Sequence, residues 1–151
     1  MLEKVNISVI LLLVFLAISS WEDLRSQSVG LRWLVCWVAG GTGWMILEYS
    51  RGSLTLLDGL IALAPGLLLT GIGIAARGGV GAGDGLVWLV IGALCSAEDC
   101  WAAFVLSLAF VFLWSAGLLI MKRAGRKTRI PFVPFSLAGV LLWMAGSVIG
   151  I

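Results

Sequence analysis

Apolar runs of about 20 residues constrain this chain more than any other feature, because at 1.5 Å per residue such a run covers the ~30 Å hydrocarbon layer of a bilayer. Six of these segments can be marked: Val5 to Ser20, Trp33 to Tyr49, Gly59 to Ala76, Gly85 to Ala97, Trp101 to Met121 and Ile130 to Ile151. The 151 residues are 61% hydrophobic and only 12% charged, so lipid rather than water is the expected solvent. In lipid, backbone amides find partners only within their own helix or a closed barrel, and runs of this length read as helices. The expected fold is therefore all-α, a polytopic membrane protein with six transmembrane helices joined by short polar hairpins. No internal repeat or separate soluble domain is visible, so residues 1–151 form a single transmembrane domain.

Orientation follows from lysine and arginine, which accumulate in cytoplasmic loops. With loops alternating sides, one face receives Arg25, Arg32, Arg77, Lys122, Arg123, Arg126, Lys127 and Arg129, and the other holds Lys4 and Arg51. This asymmetry predicts that the first group is cytoplasmic and that both termini lie outside the cytoplasm, in a multi-pass protein of the inner (plasma) membrane. A signal-peptide reading of the first segment would put Asp23 and the arginines after it on the wrong side, so a retained helix is expected. The fourth segment is the shortest, with a dozen or so residues covering about 18 Å, yet only a crossing there keeps the basic stretch 122–129 on the cytoplasmic face. The net charge of +2 gives no reason to expect a nucleic-acid partner; the lipid bilayer is the surrounding medium.

The chain contains no histidine, which excludes Ser-His and Cys-His hydrolysis, HExxH metalloproteases and histidine proton relays. Cys36, Cys95 and Cys100 lack metal-site spacing, and no metal or other cofactor is expected. Cys36 reads as packing, whereas Cys95 and Cys100 flank a short acidic turn where a disulfide is one option in an oxidising compartment. A Ser-Lys protease is poorly served, since Lys122 and Lys127 fall in the basic loop and Lys4 lies on the opposite face. Chemistry is left to carboxylates, hydroxyls, lysine or the thiols.

Between Asp23 and Asp84 the chain crosses the membrane twice, so both return to the cytoplasmic face near the ends of their helices. Two neighbouring carboxylates cannot both ionise cheaply; one keeps a proton and the other can act as a base. In amide hydrolysis the ionised partner draws a proton from water while the protonated one polarises the scissile carbonyl and then protonates the leaving amine. Taken singly, Asp84 also reads as a helix N-cap and Asp23 as a solvated partner of Arg25 or Arg32. Glycines at 78, 79, 81, 83 and 85 strip side chains from around Asp84, which lets an extended substrate backbone approach, and Gly81 and Gly83 are singled out for substrate binding or loop flexibility. Glu22 points about 100° away from Asp23 on a helix. It is either a solvated charge or a point of attraction for a basic substrate segment.

These residues resemble the type IV prepilin peptidase family, polytopic aspartyl proteases with a Gly-x-Gly-Asp motif, here Gly81-Ala82-Gly83-Asp84. Asp23-Leu24-Arg25 resembles the family's first aspartate and its trailing basic residue. The stretch Ile130-Pro131-Phe132-Val133-Pro134-Phe135 resembles its proline-containing last helix. The resemblance implies that Asp23 and Asp84 are the catalytic pair. It implies also that the substrate is a prepilin- or pseudopilin-like membrane protein, cut after a glycine between its basic leader and its apolar helix. The cysteine-rich insertion that accompanies methyltransferase activity in longer members is missing, so only the peptidase activity is expected.

A different class of function, a noncatalytic membrane assembly subunit or small ion- or proton-coupled transporter, predicts carboxylates deep within the spans. In this sequence the acids lie near the ends of the apolar runs. The oligomeric state is not legible from the sequence.

Overall fold

The computed structural model describes residues 7–26, 30–75, 82–120 and 132–149, and everything in them beyond short turns is α-helix. The order is α1 (Ile7–Ser26), α2 (Leu31–Ser50), α3 (Leu56–Ala75), α4 (Ala82–Leu94), α5 (Ala97–Ile120) and α6 (Val133–Ile149). Three of them, α1, α3 and α5, are long and apolar enough to cross a membrane. The outer surface is apolar as well: Ile74, Phe112, Leu113 and Ile120 are all exposed, as suits side chains solvated by lipid tails.

Contacts between helices show that successive helices run in opposite directions. Thr70 of α3 lies against Gly85 of α4 and Ala62 against Gly92, so these two helices are antiparallel. Trp101, early in α5, reaches Ile61, early in α3, and Trp143, late in α6, reaches Asp99 in the first turn of α5. Asp23, in the last turn of α1, meets Val133 at the start of α6. The near end of the bundle therefore gathers the C-termini of α1, α3 and α5 and the N-termini of α2, α4 and α6.

The shortest helix is the centre. α4 packs on α1, α2, α3 and α5, and Val87, Trp88, Val90 and Ile91 are wholly buried. A helix apolar on every side belongs in an interior, and the 13 residues of α4 are walled by protein. Trp88 stacks edge-on against Phe104 of α5 at 4.9 Å between ring centres. Its Nε1–H donates to Ser136 of α6 at 3.1 Å, tying three helices together.

Pro65 stands inside α3. It cannot donate to the carbonyl of Ile61 four residues earlier, and an unpaired carbonyl in an apolar medium is costly. Trp101 Nε1–H takes up that carbonyl at 2.9 Å, and the Cys100 thiol donates to the adjacent Ala62 carbonyl at 3.3 Å. All three cysteines are free thiols, so the disulfide option at Cys95 and Cys100 is not taken. Tryptophans tie the helices together: Trp33, Trp88, Trp101 and Trp143 each donate a hydrogen bond to another helix.

Far-end hairpins are closed by local chemistry. α2 ends in a Schellman motif, with Gly52 at φ +72° and its N–H on the Tyr49 carbonyl, while Ser53 N–H returns to Glu48. α3 and α5 both begin with an N-cap hydroxyl paired to the aspartate three residues on. Thr55 and Asp58 exchange hydrogen bonds, Oγ1 to carboxylate and N–H to Oγ1, and Ser96 and Asp99 do the same. Asp58, Asp99 and Glu48, the last paired with Arg51 at 3.4 Å, are thereby structural acids.

Two boundaries differ from the sequence reading. α1 continues past Ser20 to Ser26, so Glu22 and Asp23 sit within its last turn rather than after it; α4 opens at Ala82, so Asp84 lies inside its first turn and is not the N-cap. Neighbouring helices supply the packing that lets polar residues extend both ends. The basic stretch 122–129 and Pro131 lie outside the described residues.

Candidate active site

Asp23 faces inward. The buried positions of α1 are Ser8, Leu12, Phe15, Leu16, Ser19, Ser20 and Asp23, a stripe with helical periodicity that carries the carboxylate into the bundle at the near end. The Asp23 side chain is only 7% exposed. Its Oδ2 accepts the N–H of Val133 at 3.1 Å. Val133 is the first residue of α6, where backbone amides have no partner within their own helix and the helix dipole favours a negative charge. Asp23 thus serves as a cap supplied from a distant part of the chain.

Asp84 reaches the same region by a second route. It lies one turn before Trp88, which bonds Ser136 of α6; Ser136 is one turn after Val133, which bonds Asp23. This chain of contacts sets the two aspartates at one level of the bundle, and their charges act on each other directly. Asp84 is partly buried in the first turn of α4. Unlike Asp23, Glu22, Glu48, Asp58 and Asp99, it accepts no hydrogen bond from any described residue. Among the described residues, then, one carboxyl is half-buried without a donor and the other holds one, an electrostatic asymmetry suited to a shared proton.

The remaining residues of the sequence reading divide. Glu22 Oε2 accepts the N–H of Gly30, the residue that precedes α2, at 3.4 Å, so this acid spans the α1–α2 turn while its neighbour points inward. Gly83 has room, since a Cβ there would meet Leu34 Cδ1 at 3.9 Å. Gly85 does not: a Cβ would come within 2.5 Å of the Thr70 backbone nitrogen. The expectation that Gly85 opens space for a substrate is corrected by its contact with α3. Gly78, Gly79 and Gly81 lie outside the described residues. Among the described residues no group of acids or thiols is arranged to hold a metal.

Sequence reasoning missed Val133 as the donor to Asp23 and the pairing of Trp88 with Ser136. One signal was available for the first: a proline at 134 marks the first turn of a helix, and a helix start carries free amides that attract an anion. In comparisons with known proteins, no family model, curated protein or solved structure matches this chain, so the functional reading rests on the residues themselves.

Proposed function

We propose that the chain is an intramembrane aspartyl endopeptidase that removes the basic leader from prepilin- or pseudopilin-like membrane proteins. In this reading all six helices cross the inner membrane, both termini lie outside the cytoplasm, and the near end of the bundle is the cytoplasmic end. One observation carries the proposal: Asp23 and Asp84, 61 positions apart, come to the same end within reach of each other's charge, and Asp84 accepts no hydrogen bond from any described residue. The sequence resemblance of both aspartates to a prepilin peptidase pair supports the same reading.

The chemistry needs only this pair and water. The ionised carboxylate takes a proton from water as the water oxygen bonds to the scissile carbonyl carbon, while the protonated carboxyl donates to the carbonyl oxygen. Collapse of the tetrahedral species breaks the C–N bond, the amine leaves with a proton from the dyad, and the leader departs with a new carboxylate. The basic leader suits a near end where Glu22 stands beside the site, and an apolar substrate helix suits the lipid-facing surface.

The test is co-expression with a membrane reporter carrying a basic leader, a glycine and an apolar helix, scored by leader removal on a gel. Asp23→Asn and Asp84→Asn should each lower cleavage by at least about a hundredfold, the scale of a lost acid or base. Cleavage that survives either change refutes the dyad.

A further inference from the structure

Among the described residues, hydroxyl oxygens that are fully buried have partners, with one exception. Ser19 accepts from Trp33 Nε1 at 3.3 Å, Ser107 donates to the Ala103 carbonyl at 2.7 Å, and Ser136 donates to the Phe132 carbonyl at 3.3 Å while accepting from Trp88. Ser20 is 4% exposed, and its Oγ is the one fully buried side-chain polar atom without a hydrogen bond among the described residues. A helical serine ordinarily turns its hydroxyl back to the carbonyl four residues earlier, as Ser107 does. Ser20 leaves that bond unmade, and an unpaired hydroxyl in an apolar interior is unfavourable.

Its place in the fold gives the omission meaning. Ser20 and Asp23 are three apart on the buried stripe of α1, so their Cβ atoms are about 5–6 Å from each other. Ser19 lies on the opposite flank of that stripe, committed to α2 through Trp33. Ser20 is therefore a hydroxyl held beside the dyad, one turn further from the near end than Asp23.

We infer that Ser20 Oγ hydrogen-bonds the backbone of the substrate where it unwinds beside the dyad, on the side of the scissile bond that leads into the apolar helix. This rests on the endopeptidase reading of Asp23 and Asp84. A peptide bond must leave its helix before it can be attacked, and each residue unwound frees an N–H and a C=O that lipid cannot satisfy. A serine hydroxyl is donor and acceptor at once and can pair with either. With the basic leader at the mouth of the site, the residue one turn deeper meets the chain on its apolar side. The unmade bond in the free protein is then completed by substrate.

Two adjacent truncations of equal size test the inference in the full chain, using the leader-helix-reporter substrate. Ser20→Ala should melt at or above the wild-type temperature in detergent, because an unpaired hydroxyl leaves the interior, yet lose roughly five- to tenfold in kcat/KM, the scale of one lost hydrogen bond. Ser19→Ala should behave in reverse, melting earlier for want of its Trp33 bond while kcat/KM stays within about twofold. Wild-type cleavage by Ser20→Ala overturns the inference and leaves the dyad standing. So does a loss of activity that tracks a fall in melting temperature, since the hydroxyl would then be supporting the fold. A wild-type chain that leaves the reporter uncut refutes the endopeptidase reading itself, and the role of Ser20 with it.

Discussion

Neighbouring acids at the end of α1 do different work because a helix turns about 100° per residue. Glu22 spans the turn to Gly30, and Asp23 enters the bundle and takes the Val133 amide. The choice of Asp23 over Glu22 was legible in the sequence only through family resemblance; the buried stripe of α1 supplies the physical reason. Partners brought from far along the chain were not legible at all. Pro65 announces a freed carbonyl at Ile61, but nothing local says that Trp101 will answer it. Trp101→Phe keeps an aromatic ring beside Phe104 and removes the donor, so it should lower stability by about 1–3 kcal/mol, read as an earlier thermal transition in detergent. Cys100→Ala should cost less, because a thiol is a weak donor.

Two helices meet backbone to backbone along the α3–α4 seam. Ala62, Gly66 and Thr70 recur every fourth residue on α3 and oppose Gly92, Leu89 and Gly85 of α4. Small residues allow this close approach, the usual route to tight association where lipid supplies no hydrophobic drive. Asp84 precedes Gly85, so the seam also fixes the height and rotation of the carboxyl. Gly85→Ala should force α4 away from Thr70, costing about 1–3 kcal/mol and most of the reporter cleavage. Gly43→Ala on α2, where an added Cβ meets nothing within 4 Å, should be neutral or stabilising. The glycine-rich stretch was readable as a special backbone next to Asp84, but composition does not distinguish a glycine that opens space from one that closes it. Gly85 closes it.

At the scale of the whole bundle, the number and order of helices follow from hydropathy, because each apolar segment must find a helix of its own. Their ends did not follow, since α1 and α4 extend into polar residues that only tertiary neighbours make favourable. The central position of α4 was likewise hidden: a short apolar run reads as a weak membrane span until its surroundings are known. Alternation of the helices places Arg25 and Arg32 at one end and Arg51 at the other, in line with the charge asymmetry. A membrane-impermeant maleimide should therefore label Arg51→Cys in intact cells and Arg25→Cys only after permeabilisation, in a background with Cys36, Cys95 and Cys100 replaced. Labelling of both, or of Arg25→Cys alone, in intact cells would overturn the orientation. Among the described residues, acids fasten the bundle at both ends. Far from the aspartates, Asp58 and Asp99 pair with the hydroxyls that start α3 and α5; at the near end Glu22 ties α1 to the start of α2 and Asp23 ties it to the start of α6. A chain with few charges thus spends most of its carboxylates as rivets at helix ends.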